Sequence, residues 1–224
     1  MAAFSISDGG ILSSALRIGA VTACTSAEGP GRRFAVWTQG CSLRCPGCFN
    51  PHLWGARGGQ RRVAADLASE ALREARERRI EGVTLLGGEP FEQADACAAF
   101  AAEVRAAGLS VMVFTGYDLE FLEGAGRPSG AAELLARTDL LVDGRYCADL
   151  PDRRRPWVGS TNQRFHFLTR RYAYLEAALT TLPDRVEVRV SPSGDVVVNG
   201  WAGEDQLDEL LSGIPPSPGT GRSR

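Results

Sequence analysis

The stretch Trp37-Thr38-Gln39-Gly40-Cys41-Ser42-Leu43-Arg44-Cys45-Pro46-Gly47-Cys48-Phe49-Asn50-Pro51 places three cysteines at C-x3-C-x2-C spacing, directly after the apolar run Phe34-Ala35-Val36-Trp37. The run reads as a short core strand and the cysteines as its loop exit. Iron–sulfur clusters are usually held by four cysteines, so a tight set of three points to a 4Fe-4S cluster whose fourth iron is open to an outside ligand. The competing reading is structural. His52 lies four residues beyond Cys48, and Cys41, Cys45, Cys48 and His52 also have the spacing of a Cys3His zinc site.

Upstream of this stretch, residues 16–23 carry a loose strand pattern, and Gly29-Pro30-Gly31 then breaks the chain. Downstream, Val63, Leu67, Ala71, Leu72 and Ala75 recur near helical period and predict an amphipathic helix over 62–79, with Gly82 marking its stop. A short strand Val83–Leu86 follows, then a helix over about 92–107, a strand Leu109–Phe114, an interrupted helical region over 118–137 and a strand Leu140–Val142. This alternation argues an α/β fold on a parallel sheet with right-handed crossovers. Residues 147–164 read as a long functional loop, with something packing over the sheet edge there. Beyond it the pattern predicts a helix at 171–181, a hairpin of Val186–Val190 with Val196–Val198, a helix at 203–212 and a disordered Pro-, Ser- and Gly-rich tail.

The 224 residues, 44% hydrophobic and 23% charged, suffice for one main domain with an appendage. A formal net charge of −2 argues against nucleic acid or an anionic membrane as partner. Neither a spanning apolar stretch nor a signal sequence is evident, so a cytoplasmic protein is expected. All 25 basic residues are arginine, a mark of coding bias rather than of function. Cys24, Cys97 and Cys147 are scattered through ordinary elements and read as small hydrophobes rather than disulfide partners.

In parallel α/β folds ligands gather at the carboxyl ends of the strands. Four unusual segments fall on such ends here: Cys41–Cys48, Gly87-Gly88-Glu89-Pro90, Thr115-Gly116-Tyr117 and Asp143. The glycines permit close backbone approach to a ligand, and the carboxylate of Glu89 can accept from an ammonium group or favour the following helix N-terminus. A three-cysteine loop in register with an amine-holding turn is a combined requirement, and that combination decides against zinc.

Together these motifs resemble the radical S-adenosylmethionine superfamily, whose cluster motif is C-x3-C-x2-C and whose second signature is Gly-Gly-Glu-Pro. Within it the chain is most similar to glycyl-radical-enzyme activases, especially those of anaerobic ribonucleotide reductase. The shared features are Gly29-Pro30-Gly31 with Arg33, Gln39-Gly40, Pro46-Gly47-Cys48-Phe49-Asn50 with Trp54, Leu85 to Pro90, Thr115-Gly116-Tyr117, Leu141 to Gly144 and Gly159 to Arg164. They span about residues 16–166, and the roughly 55 residues beyond His166 are a departure from the small activases.

The resemblance implies a partial (incomplete) parallel β/α barrel over 1–166, a small C-terminal α+β extension over 167–212 packing on it, and a disordered tail over 213–224. It implies that Cys41, Cys45 and Cys48 hold the 4Fe-4S cluster and that S-adenosylmethionine is reductively cleaved to a 5′-deoxyadenosyl radical. Gly87, Gly88 and Glu89 would receive the methionine amine, Gly47 and Phe49 would lie near the adenine, and Thr115 and Asp143 would make polar contacts to the methionine or ribose. Phe49 and Tyr117 read equally as plain core and Asp143 as a turn-former, while Asn162, Gln163 and Arg164 read as a solvated loop or as a partner or substrate contact. His52 and His166 read as packing or surface residues. The implied partners are a glycyl-radical enzyme and an electron donor such as flavodoxin or ferredoxin. The alternatives are a radical enzyme modifying a peptide or small metabolite, and a non-enzymatic zinc or cluster protein.

Overall fold

The computed structural model describes residues 15–191, 193–194, 196–200, 208–210 and 212. The strands are β1 (Ala15–Thr25), β2 (Arg33–Thr38), β3 (Gln60–Val63), β4 (Gly82–Gly87), β5 (Ser110–Phe114), β6 (Leu140–Asp143), β7 (Arg164–Phe167), β8 (Val186–Val190) and β9 (Val196–Gly200). The helices are α1 (Ala64–Arg78), α2 (Ala94–Ala106), α3 (Leu119–Glu123) and α4 (Ala131–Leu135), with 3-10 turns at Pro51–Leu53, Pro90–Gln93 and Arg170–Ala178.

Seven strands form one sheet in the order β3-β1-β2-β4-β5-β6-β7. Its centre, β2-β4-β5-β6, is parallel, as the βα alternation requires. The flanks are antiparallel, which corrects the expectation of a uniformly parallel sheet: β1 pairs with β2 and β3, and β7 with β6. The physical reason is connection length. A short turn through Gly29 and Gly31, both at positive φ, returns β1 directly to β2, whereas a parallel return needs a crossover.

The central strands follow chain order without reversal, so their helices gather on one face. There Phe34, Val36, Val83, Leu85, Val111, Val113 and Leu141 pack under Leu67 and Ala71 of α1, Phe100 and Val104 of α2, and Leu134 of α4. Each fully buried Leu or Phe of this kind contributes about 2 kcal/mol. On the opposite face Met112, Leu140 and Val142 are covered by Val158, Tyr172 and Leu175. The upper end of that face, with Trp37, Leu86 and Phe114, stays half-buried close to the cysteine loop.

Several expected boundaries shift. The helix expected from residue 62 begins at Ala64, because Gln60–Val63 is claimed by Ala15–Ile18 as a strand partner. It ends where Arg79 turns left-handed at φ 55, not at Gly82. Gly82 instead opens β4, where a Cβ would run into Ser110 Oγ and the Arg33 guanidinium. The helical region over 118–137 resolves into α3 and α4, and the helix expected at 171–181 is the 3-10 turn Arg170–Ala178. Its buried Tyr172 and Leu175 are three residues apart, the period of that helix.

The expected hairpin forms as β8 and β9, and it docks on the main sheet through polar groups. Glu187 Oε1 accepts from Ser26 N at 2.7 Å, Asn199 Nδ2 donates to Thr22 Oγ1 at 3.0 Å, and Gly200 N donates to Glu28 Oε1 at 2.8 Å. The boundary expected at residue 166 falls inside β7. Most of the helix expected at 203–212, and the tail over 213–224, lie outside the described residues.

Candidate active site

The cysteine loop leaves the end of β2 and is closed at its base by its own backbone. Gly40 N donates to Leu53 O at 2.8 Å, and Cys41 N to Trp54 O at 3.1 Å. Gln39 turns its amide across the gap, donating through Nε2 to Gly55 O at 2.7 Å and His52 O at 3.3 Å. Within the loop the chain must reverse twice, with Arg44 at φ 47 and Gly47 at φ 74. A Cβ at Gly47 would lie 3.2 Å from Ala148 Cβ, so the glycine lets the loop rest on residues 146–148.

Cys41, Cys45 and Cys48 are half-buried free thiols. Backbone N–H groups face their sulfurs: those of Arg44 and Leu43 at Cys41, that of Tyr146 at Cys45, and that of Asn50 at 3.4 Å from Cys48 Sγ. Burial pushes the Cys41 and Cys45 thiols up, against the pull of those N–H groups. Hydrogen bonds to sulfur of this sort tune iron–sulfur clusters. Among the described residues no three His, Cys, Asp or Glu side chains converge on a metal ion. Three half-buried thiols on one short loop, with backbone N–H groups facing their sulfurs, are a donor set that fits a 4Fe-4S cluster, and His52 is exposed.

The Gly-Gly-Glu-Pro turn is zipped to this loop. Gly88 N donates to Thr38 O at 2.8 Å and Glu89 N to Gly40 O at 2.9 Å. Both glycines are required by that closeness. Gly87 sits at φ +102 with Trp37 Cα 2.6 Å from where its Cβ would stand, and a Cβ on Gly88 would strike Gly40 O. The amide protons of Gly88 and Glu89 are thereby spent.

Glu89 is 1% exposed. Its carboxylate accepts from Thr115 Oγ1 at 2.8 Å, Phe91 N at 3.0 Å and Gly116 N at 2.9 Å. Burial pushes it up to about 7, against those three donors. The residue thus caps the turn Pro90–Gln93 and also ties the end of β4 to the end of β5, so Thr115 acts through Glu89.

Asp143 is wholly buried. It takes Arg164 Nη2 at 2.5 Å and Nε at 3.0 Å, and Leu119 N at 2.7 Å. Burial alone would raise its carboxyl, but Arg164, the Leu119 N–H and His166 outweigh it and hold the group low. His166 Nε2 lies 3.0 Å from Asp143 Oδ2 without the alignment of a directed hydrogen bond. Arg164 continues to Glu120 at 2.6 Å, joining β6, β7 and α3.

Asn162 and Arg164 are exposed and Gln163 is half-buried, and their loop is knit together by its own hydrogen bonds. Gln163 Oε1 accepts from Gly159 N at 2.9 Å, and Arg155 Nη1 donates to Gln163 O at 2.9 Å. Phe49 is 44% exposed, which overturns its plain-core reading, and its ring meets Tyr146 edge-on at 6.5 Å. Tyr117 packs against the helix-side core and stacks on Phe121 at 5.1 Å. A cleft of about 460 Å³ opens beside the cysteine loop, lined by Leu43, Gly116, Tyr117, Phe121, Arg145 and Asn162.

The sequence did not single out Ser42, Glu92 or Gln93, or give Gln39 its role. They carry no spacing signal beyond standing next to a motif, and their partners lie far off in the chain. No helix of the described residues is long and apolar enough to cross a membrane.

Residues 27–166, more than half of the chain, match the family described as the 4Fe-4S single cluster domain. The anaerobic ribonucleoside-triphosphate reductase-activating protein of Escherichia coli K12 is 32% identical over 147 residues, 63% of this chain and 92% of the relative. Its counterpart in Enterobacteria phage T4 is 31% identical over 63% of this chain and 87% of its own. The pyruvate formate-lyase-activating enzyme of Listeria monocytogenes is 37% identical over 56% of this chain and 51% of its own length. The closed cysteine loop, the glycine turn zipped to it and these similarities agree, and the chain belongs to the 4Fe-4S single cluster domain family, among the radical S-adenosylmethionine proteins.

Proposed function

We propose that the protein is a radical S-adenosylmethionine enzyme that installs a glycyl radical on a partner enzyme, as the names of its activating relatives indicate for them. The observation that carries this reading is the pairing of Gly88 and Glu89 with Thr38 and Gly40, which makes one edge of the cysteine loop and the Gly-Gly-Glu-Pro turn. When bound, the cluster and S-adenosylmethionine supply reductive cleavage of the sulfonium to a 5′-deoxyadenosyl radical.

Cys41, Cys45 and Cys48 would hold the cluster. Because the N–H groups of Gly88 and Glu89 are spent, the turn offers carbonyl oxygens, which are what a methionine ammonium needs. Glu89 would hold those carbonyls in place through Thr115 and Gly116. Gly47 and the exposed ring of Phe49, both beside Tyr146, would lie near the adenine. Thr115 and Asp143, whose polar atoms are already taken, would serve by fixing strand ends.

The four parallel strands in chain order, with helices on one face, support a sheet that curves into a partial β/α barrel. Its helix-free face, with half-buried Trp37, Leu86 and Phe114, would receive a glycine loop and exclude water. A glycine suits that chemistry because its Cα radical is flanked by amide donor and acceptor groups and sits in flexible chain. A cytoplasmic flavodoxin or ferredoxin would deliver the electron, and residues 167–212 would form an extension beside the barrel. The test is incubation of the reconstituted protein with dithionite, S-adenosylmethionine and a glycyl-radical reductase, watching for the glycyl doublet by electron paramagnetic resonance. A doublet dependent on Cys41 supports the reading. Turnover of S-adenosylmethionine with no doublet on any such partner moves it to a peptide or metabolite substrate.

A further inference from the structure

Glu92 and Gln93 belong to neither signature motif, yet each grips the cysteine loop. Glu92 Oε1 accepts from Ser42 N at 2.8 Å and from Ser42 Oγ at 2.6 Å, so the residue directly after the first cysteine is held by a carboxylate 50 residues further along the chain. Gln93 Nε2 donates to Gln39 O and to Arg17 O, both at 3.0 Å, and its Oε1 accepts from Arg17 N at 2.7 Å. The two residues end the same 3-10 turn that Glu89 caps. Cluster loop, glycine turn and the end of β5 are therefore clamped by three polar side chains, Glu89, Glu92 and Gln93, of one short segment.

Glu92 is exposed, and an exposed carboxylate holding neutral donors, the Tyr117 hydroxyl at 3.5 Å among them, adds little to fold stability. Its position has another consequence. Both Ser42 donors are occupied by the Glu92 carboxylate and so are not turned toward sulfur, and that carboxylate's charge is fixed on the residue next to Cys41. Fewer donors to sulfur and more negative charge nearby both disfavour adding an electron to an iron–sulfur centre.

We propose that Glu92 is a positioning residue for the cluster, fixing the first turn of the cysteine loop against the Gly-Gly-Glu-Pro turn and lowering the reduction potential of the centre bound there. The inference rests on the radical S-adenosylmethionine reading but is separable from it. Glu92 acts through Ser42, not by touching metal or substrate.

The test uses the full chain and its Glu92→Gln and Glu92→Ala variants, reconstituted anaerobically with iron and sulfide. Three quantities are read: iron and sulfide per chain, the potential from a redox titration followed by electron paramagnetic resonance, and the melting temperature before reconstitution. Gln keeps the shape and both Ser42 bonds but not the charge, so Glu92→Gln should load iron like the parent and titrate at a more positive potential. Glu92→Ala releases Ser42 and should hold at least two-fold less iron, with a melting temperature unchanged before loading. A Glu92→Gln potential equal to or below that of the parent, or parental iron content in Glu92→Ala, overturns the proposal while the enzymatic reading stands. A parent chain that binds no cluster overturns both.

Discussion

Glu89 Oε1 and Thr115 Oγ1 are joined at 2.8 Å, a bond that fastens the end of β4 to the end of β5 inside the sheet edge where the cysteine loop also lands. With Gly116 N on the other carboxylate oxygen and its own backbone N–H on Gly40 O, buried Glu89 is the common anchor of the ends of β2, β4 and β5.

That anchor should be visible in the pH dependence of stability. Burial holds Glu89 at about 7, above its ordinary 4.5, so the protonated form is the one the fold favours. Its contribution is complete below 4.5 and is lost as pH rises through 7, about 3 kcal/mol over that window. Glu28, half-buried against the hairpin, is also pushed to about 7 by desolvation and adds to the same slope. Urea midpoints of the cluster-free protein should fall between pH 5 and pH 7.5, and Glu89→Gln should fall less steeply. Parallel curves would contradict the assignment.

Gly88→Ala drives a methyl group into Gly40 O, with Thr38 O 2.9 Å away, so turn and cysteine loop must part. The expected cost is about 2 kcal/mol, together with loss of S-adenosylmethionine binding by the reconstituted protein in calorimetry. Binding equal to the parent would show that the contact is not needed.

Asp143→Asn strips the charge that Arg164 grips through two nitrogens while leaving the size. About 2 kcal/mol of stability should go, discounted for the partly exposed arginine. Because the Asp143 carboxyl is held low, its contribution in the parent persists above the ordinary carboxylate range and fades as pH falls. The parent's stability should fall more steeply in acid than the variant's, and the gap between the two should close there.

Arg33 is wholly buried yet bonds only neutral groups among the described residues, including Ser110 Oγ at 2.6 Å, Tyr172 Oη at 2.9 Å and Thr84 Oγ1 at 3.0 Å. It rivets the 3-10 turn Arg170–Ala178 to the lower end of the sheet. Arg33→Met should cost about 3 kcal/mol and Tyr172→Phe about 1 kcal/mol. Limited proteolysis should cut near residues 170–180 faster in both.

The parallel centre of the fold was legible because Val83–Leu86, Leu109–Phe114 and Leu140–Val142 are apolar runs separated by helical periods, and such runs admit few other arrangements. The edges were not. Arg164-Phe165-His166-Phe167 alternates too briefly to stand out, and it is a strand only because β6 offers Asp143 to Arg164 and a free edge. Arg62 and Val63 read as the start of a helix until Leu16 and Ala15 pair with them. In the site, the cysteines and the glycine turn announce themselves by spacing. The work of Glu89, Glu92 and Arg33 depends on partners 26, 50 and up to 139 residues away, which no local pattern records.

The central claim is tested most directly by anaerobic reconstitution with iron and sulfide, followed by measurement of 5′-deoxyadenosine after dithionite and S-adenosylmethionine are added. The account predicts deoxyadenosine from the parent chain and none when any one of Cys41, Cys45 and Cys48 is changed to Ala. A colourless protein carrying stoichiometric zinc and forming no deoxyadenosine would contradict it.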